Sequence, residues 1–167
     1  MTALSEWLAA HAPALRGALA EPATDEAIAA CEALVSRKLP AEYVAFLREH
    51  DGQRFADESL APIFQAFEFL GTKFARGEWE SMREWDEADE AWWPITTIYG
   101  SSHHHCIDED GSIIVVAMDD PGSREVIASS FAELMDRLVS LLDDSIAETT
   151  EEGIELSDDA MDWLLGG

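Results

Sequence analysis

The sequence has few basic residues and no long apolar run. Lysine and arginine account for 10 of its 167 residues, against 35 aspartates and glutamates, which gives a net charge of −25. Such a field repels nucleic acid and anionic membranes, so we expect neither as a partner. No apolar stretch approaches the roughly 20 residues that a membrane helix needs. The charge serves solubility alone, or it attracts a cationic protein partner.

Cysteine is also scarce. Cys31 and Cys106 both lie in apolar contexts, which favours two free, buried thiols in a reducing compartment over a disulfide. The first twenty residues lack a basic region followed by an apolar one, so we predict no signal peptide and a cytoplasmic location. A chain of this length buries enough surface to fold as one domain without disulfide bonds.

The motifs of common enzymes are missing. We find no glycine-rich phosphate loop, no nucleophile elbow and no paired zinc-ligand spacing. We therefore predict a protein that is not an enzyme, with no catalytic residue and no cofactor.

A hairpin is the clearest local structure in the chain. The run 113–116 (Ile-Ile-Val-Val) is β-branched and uncharged, which is typical of a strand covered on both faces. The segment Asp108–Gly111 before it has turn chemistry, because aspartate tolerates turn geometry and glycine takes positive φ without cost. Residues 105–107 then form the partner strand.

Periodicity and turn signals place the other elements around this hairpin. We predict strands within 63–70, 93–99 and 124–128, and a turn at 119–123. We predict helices after Thr24 or Asp25, from Pro40 to Gly52, from Thr72 to about Ala91, and after a capping box of Ser130 and Glu133. The order indicates an α+β fold, a mainly antiparallel sheet flanked by helices.

The chain divides into three segments on this interpretation. Residues 1–22 carry a loosely attached N-terminal helix, and residues 23–142 form the α+β domain. Residues 143–167 are an acidic tail with nine carboxylates and no basic residue, mostly mobile. Ser157 could cap a short helix in it, and Trp163 suggests that part of the tail docks.

Three histidines precede Cys106. His103 and His105 would share one face of a strand, so they are weak candidates for metal ligands. No second pair of Cys or His completes a zinc site, and edge-strand or loop histidines are the favoured interpretation. The pattern Asp108-x-Asp110-Gly111 lacks the further oxygen ligands of a calcium loop, which favours a turn.

The segment 78–90 combines seven carboxylates with tryptophans. A solvated helix face with core tryptophans explains this composition, and so does an acidic, aromatic-rich surface that binds a protein. A glycosidase carboxylate pair is the least favoured interpretation. On the protein-binding interpretation the candidate contacts are Trp79, Trp85, Asp86, Glu87, Asp89 and Glu90.

Several motifs occur together in an order that resembles the SUKH superfamily. A helix is followed by a Leu-Pro start to the next helix and an Asp-Gly end, then by a Trp-rich entry to a strand, an Ile-Asp strand end and a closing helix. These motifs lie at Leu39-Pro40, Asp51-Gly52, Trp92-Trp93-Pro94-Ile95, Cys106-Ile107-Asp108 and 128–134 (Ala-Ser-Ser-Phe-Ala-Glu-Leu).

The resemblance implies an α+β fold with helices beside a mixed or antiparallel sheet. It also implies a non-enzymatic immunity protein, which would bind and neutralise a cognate bacterial toxin, often a nuclease. Such a toxin is basic where it meets nucleic acid, so it suits a partner of charge −25. The alternative is a regulatory or scaffold domain with a housekeeping or cell-wall-related partner. Neither interpretation predicts the oligomeric state.

Overall fold

A computed structural model describes residues 2–54, 62–84, 88–117, 119–143, 148–150 and 153–167. Its helices are α1 (Ala3–His11), α2 (Asp25–Leu34), α3 (Ala41–Glu49), α4 (Thr72–Met82), α5 (Phe131–Asp143) and α6 (Asp158–Leu164), with a short 3-10 helix at Leu15–Ala18. Its strands are β1 (Phe67–Phe69), β2 (Trp93–Pro94), β3 (Thr96–Ile98), β4 (His103–Ile107), β5 (Ile113–Ala117), β6 (Asp120–Ala128), β7 (Glu148–Thr150) and β8 (Gly153–Glu155).

The strands form antiparallel sheets, which confirms the predicted α+β class. The largest sheet has the order β2-β4-β5-β6, and β1 pairs with β3. Ile95 lies between β2 and β3 and connects the two ladders. Its N–H donates to the carbonyl of His105 at 2.8 Å, and its carbonyl accepts from the N–H of Leu70 at 2.9 Å. The predicted strand over 93–99 is therefore shared between two pairings.

The central hairpin is present as predicted. His105 pairs with Val115 and Ile107 with Ile113 in an antiparallel register. Gly111 has a φ of 89°, and the Asp108 N–H donates to the Ser112 carbonyl at 2.9 Å to close the turn. The β-branched run 113–116 is buried, because helices or loops cover both faces of β5.

The strand after the hairpin begins earlier than predicted. The prediction of a turn at 119–123 was wrong beyond its first residue, because β6 pairs with β5 from Asp120 onward. Pro121 lacks an N–H, so it cannot donate to a neighbouring strand. It is tolerated because β6 lies at the edge of the sheet.

Helix α4 is shorter than predicted. It ends at Met82 instead of near Ala91. Glu84 and the carboxylates after it would lie at the negative end of the helix dipole, which is unfavourable. The chain instead turns back, and the indole N–H of Trp79 donates to the carbonyl of Glu90 at 3.1 Å.

Helix α4 is capped by a residue distant in sequence. The N–H and hydroxyl of Thr72 donate to the two carboxylate oxygens of Asp51, at 2.6 and 2.9 Å. Thr72 is thus the first helical residue, and Gly71 takes the cap position without a side-chain bond. Gly52 has a φ of 72°, but it does not end α3 as predicted, because this helix already ends at Glu49. Its conformation serves the approach of the Asp51–Gly52 backbone to Gly71.

The start of α5 forms half of the predicted capping box. The Ser130 hydroxyl accepts the Glu133 N–H at 3.1 Å, as expected. The Glu133 carboxylate accepts from the N–H of Ser129 at 2.8 Å, instead of from Ser130. Both bonds satisfy backbone donors that the first turn of a helix leaves unpaired.

Both ends of the chain contribute to the main core. Leu4 and Leu8 of α1 are fully buried, so the expectation of a loosely attached helix was wrong. Ile154 of β8 and Leu164 of α6 are 0% and 1% exposed, so these two elements pack on the domain instead of belonging to a mobile tail. Ser157 caps α6 by accepting the N–H of Ala160 at 3.2 Å, as predicted.

The thiols are as the sequence predicts. Cys31 and Cys106 are free and buried, and burial raises the pKa of Cys31 to about 11 and that of Cys106 further. Both thiols therefore stay protonated at neutral pH and are poor nucleophiles. Among the described helices, none has the length and apolar character needed to cross a membrane.

Candidate protein-binding surface

A small second core lies on one face of the sheet, next to the described ends of the acid-rich segment that follows α4. This core contains Cys106, Ile114 and Val116 from the sheet, together with Met82 and Trp92. The chain leaves α4 at Met82 and returns to the sheet at Trp92, so residues 83–91 connect two buried anchors. Met82 and Trp92 anchor the two ends of this segment. Its described carboxylates, Glu84, Asp89 and Glu90, are exposed to solvent.

Two further contacts fix the end of this segment to α4. The Arg83 guanidinium donates to the Glu90 carboxylate at 2.7 Å and lies over the Trp79 ring, 4.8 Å from its centre. The Trp79 indole binds the Glu90 backbone as described above. Trp79 is 5% exposed, so in this structure its ring supports the segment from inside instead of presenting a surface to a partner.

Arg37, in the turn between α2 and α3, joins the segment to the hairpin. One guanidinium nitrogen, Nη2, donates to the carbonyl of Ala91 at 2.7 Å and to the carbonyl of Ile107 at 3.1 Å. Burial lowers the pKa of Arg37, and the nearby carboxylates of Asp89, Asp108, Glu109 and Asp110 oppose that effect. The charge of Arg37 is thus directed inward and surrounded by acids.

These acids define a surface that we call the acidic rim: Asp89, Glu90, Asp108, Glu109 and Asp110. Four of them are exposed, and Asp108 is partly buried. The hydroxyl and N–H of Ser112 hold the pKa of Asp110 below its usual range, so this carboxylate stays ionised. Asp108 accepts from Arg124 at 3.1 Å. Arg83 and Arg124 pair with two of the five rim carboxylates, Glu90 and Asp108. The rim keeps a net negative charge, which is carried by Asp89, Glu109 and Asp110.

The structure places part of the predicted contact set in this rim. Asp89 and Glu90 are exposed and belong to it, whereas Trp79 lies in the core. Trp85, Asp86 and Glu87 lie outside the described residues. Sequence reasoning missed the contribution of Asp108, Glu109 and Asp110, because their pattern has a sufficient explanation as a hairpin turn. The three consecutive acids at an exposed turn were the available signal.

The two histidines considered as metal ligands have other partners. Both ring nitrogens of His105 are used: Nδ1 lies 2.8 Å from the Thr96 hydroxyl, and Nε2 lies 2.7 Å from the Leu164 carbonyl. The Nε2–H therefore donates to Leu164, and Nδ1 accepts from Thr96. His103 pairs with the Ser101 hydroxyl. Among the described residues, no group of three or more His, Cys, Asp or Glu is placed to hold a metal ion.

The burial of His105 predicts a pH dependence of stability. Burial lowers the pKa of His105 from 6.5 to about 4. The unfolded chain takes up a proton near pH 6.5 while the folded chain does not, so stability is lost as the pH falls from 6.5 to 4. We expect a loss of about 3 kcal/mol from this group. Urea unfolding of the wild type and of His105→Gln at pH 7 and pH 4.5 measures it.

The comparison isolates His105 because both proteins share every other titrating group. His105→Gln should begin less stable at pH 7 and lose less stability on acidification than the wild type. A matched control is Leu142→Ala, which removes buried apolar contacts but no titrating group, so its loss of stability on acidification should equal that of the wild type. Parallel profiles for wild type and His105→Gln would contradict the prediction.

Arg37 predicts a second measurable effect. Arg37→Ala removes two charge-assisted hydrogen bonds and leaves two carbonyls without their donor, so we expect a loss of about 2–3 kcal/mol. The control is the neighbouring Lys38→Ala. The Lys38 side chain is 86% exposed and pairs with Glu32, so this loss should stay below about 1 kcal/mol. If urea unfolding gave the same loss of stability for Arg37→Ala and Lys38→Ala, Arg37 would not join the segment after α4 to the hairpin.

Comparison with known proteins identifies the family. A family model described as SMI1 / KNR4 family (SUKH-1) matches residues 22–137. The chain belongs to the SMI1 / KNR4 family. The matched span covers more than half of the chain, which confirms the SUKH resemblance. It contains Arg37 and the whole acidic rim, whereas α1 and α6 lie outside it. No curated protein sequence matches the chain.

Members of the SMI1 / KNR4 family are generally non-enzymatic immunity or regulatory proteins that act through protein contacts. The site described here agrees with that general role. It consists of the carboxylates of the hairpin turn and of Asp89 and Glu90, close to the inward-directed Arg37.

Proposed function

We propose that this protein is a non-enzymatic immunity protein that binds a basic toxin through the acidic rim and blocks it by direct contact. The observation that carries the proposal is the convergence of two separate acidic stretches, Asp89–Glu90 and Asp108–Asp110, around the inward-facing Arg37. Membership of the SMI1 / KNR4 family is consistent with an immunity role, and the net charge of −25 supports a cationic partner.

The electrostatics of the rim favour rapid capture of a cation. Opposite net charges steer the encounter of two proteins and raise the association rate at low salt. The same attraction is screened when the Debye length falls below the separation of the charges. A toxin that acts on nucleic acid presents cations where its substrate binds, so the rim would cover the site that the toxin needs.

The test is affinity capture from the source cells at low and high salt, followed by identification of the retained protein. We expect a basic partner that is released as salt rises. The rim variant Glu90→Lys with Glu109→Lys should weaken its binding by about 100-fold, because each reversal replaces an attraction by a repulsion. Both positions are exposed, and Glu109 lies at the tip of a turn. Glu90→Lys also removes the exposed Arg83–Glu90 ion pair, which costs at most about 1 kcal/mol, so the fold should persist.

A control variant separates the rim from net charge. Asp136→Lys with Glu155→Lys changes the net charge by the same amount at exposed positions on α5 and β8, and it should weaken binding by less than about tenfold. Equal losses in the two variants would mean that charge alone matters and that the rim is not the interface. Asp86→Lys with Glu87→Lys extends the same test to the remaining predicted contacts.

The regulatory role remains the second candidate because the family includes it. A housekeeping or cell-wall-related partner, together with a growth or envelope defect on deletion of the gene, would favour that role. Protection of cells against a co-expressed basic toxin, lost in the Glu90→Lys, Glu109→Lys variant and kept in the control variant, would favour immunity.

A further inference from the structure

Strand β6 lies at the edge of the main sheet. It follows β5 at the end of the order β2-β4-β5-β6, and no other described strand pairs with its outer side. Its last part is covered: the Ile127 carbonyl accepts from Arg137 at 2.8 Å and from the Trp163 indole at 3.3 Å. The open edge therefore ends at Val126.

Val126 is unusually exposed for its residue type and position. It is 66% exposed, although its cross-strand neighbour Ile114 is fully buried. Natural edge strands commonly carry lysine or another inward-pointing charge that prevents pairing with a further strand. A β-branched apolar side chain at this point instead offers a cross-strand contact to an added strand.

The sheet limits how long an added strand could be. Register shifts occur between Ile113 and Ile114 and between Val116 and Ala117. They confine the regular pairing of β6 with β5 to Arg124–Val126. Bulges of this kind interrupt an edge and discourage open-ended pairing. The edge therefore accepts a short strand of defined register.

The charges around this edge decide which strand fits. Asp120 and Glu125 lie on β6 and are exposed, and Asp108 of the acidic rim is joined to β6 through Arg124. Antiparallel pairing of Arg124–Val126 with the same segment of a second copy would place Glu125 opposite Glu125, on a molecule that also carries −25. Like charges across a ladder are destabilising, so a cationic strand is favoured over self-association.

We propose that a short basic strand of the partner adds to β6 along Arg124–Val126, with an apolar side chain on Val126 and cations facing Glu125 and the acidic rim. Backbone hydrogen bonds supply affinity in this mode, and alternate side chains supply specificity. This inference rests on the proposed function, since it assigns the binding mode of the same cationic partner.

The probe is a synthetic octapeptide of alternating lysine and valine, added to the full chain. The matched peptide replaces each valine by proline, which keeps the charge and removes every second N–H donor. We expect the valine peptide to slow amide hydrogen exchange over 122–126 by about tenfold relative to the proline peptide. Equal protection by both peptides would overturn the proposal, because it would show attraction by charge alone.

Two variants connect the peptide result to the natural partner. Val126→Lys should weaken binding of the captured basic partner by about tenfold. Its control, Phe74→Lys, changes an apolar residue that is 41% exposed on α4 and should have no effect. If the rim variant loses the partner while Val126→Lys binds normally, the edge proposal fails and the proposed function stands. If neither variant loses the partner, both fail.

Discussion

We expect Gly52→Ala to lower the free energy of unfolding by about 4 kcal/mol, because it combines backbone strain with a steric clash. Gly52 has a φ of 72°, where a side chain is disfavoured. A Cβ atom there would lie 2.6 Å from the carbonyl carbon of Leu70 and 2.7 Å from the carbonyl oxygen of Phe69. These are backbone atoms, which cannot move aside as a flexible side chain could.

Alanine variants of three other glycines distinguish the effect of backbone strain from that of the steric clash. Gly71→Ala meets the Asp51 carbonyl oxygen without a positive φ, so it measures the clash, about 3 kcal/mol. Gly111→Ala has a φ of 89° and a nearest atom at 3.8 Å, so it measures strain alone, about 1–2 kcal/mol. Gly77→Ala, in an exposed turn of α4 with nothing within 4 Å, should add about 0.5–1 kcal/mol of stability.

Urea unfolding followed by tryptophan fluorescence gives all four values on one scale. The expected order of stability is Gly77→Ala, wild type, Gly111→Ala, Gly71→Ala and Gly52→Ala. If Gly52→Ala is no less stable than Gly111→Ala, the two backbones do not approach in solution as the structure shows. That result would also remove the physical reason for the Asp-Gly end of this motif.

The second large effect is expected at Leu164, in the last helix. Leu164 is 1% exposed, and truncation of a buried leucine to alanine costs about 2–5 kcal/mol. Leu164→Ala should therefore lower stability by about 3 kcal/mol. Its backbone carbonyl would still accept from His105, so the loss reports apolar packing and not the hydrogen bond.

Leu165→Ala is the matched control, because the same change falls on a partly exposed neighbour and should cost less than about 1 kcal/mol. Amide exchange gives an independent measurement. Leu164→Ala should speed exchange in α6 and β8 more than in the β4–β5 hairpin, since the last helix opens first. Equal, small losses in both variants would contradict docking of the C-terminal segment.

The helices and the hairpin were predictable where local signals agreed with one another. The run 113–116 and the turn ending at Gly111 specify a hairpin by composition and turn chemistry alone. Helix α5 was predictable from its apolar stripe and Ser130. The prediction made helix α4 too long, because the apolar periodicity continues through Trp85. The helix ends at Met82, since the helix dipole disfavours the carboxylates that follow and the chain returns to the sheet at Trp92.

The site was only partly predictable. Asp89 and Glu90 were selected because they lie in an acidic, tryptophan-containing stretch, and the structure places both at the surface. Trp79 was selected for the same reason, but its side chain is buried in the core and its indole N–H donates to the backbone carbonyl of Glu90. The role of Arg37 could not be predicted, because nothing about a single arginine in a turn indicates that it donates to two carbonyls distant along the chain.

Most local elements, the sign of the charge and the family could be predicted from the sequence, because composition, periodicity and short motifs are properties of neighbouring residues. Which distant segments meet could be learned from the folded structure alone. It brought Asp89 beside the hairpin turn through Arg37, placed Asp51 at the start of α4, and buried Leu8 and Leu164 in the main core. These contacts depend on the path of the whole chain, which no local pattern specifies.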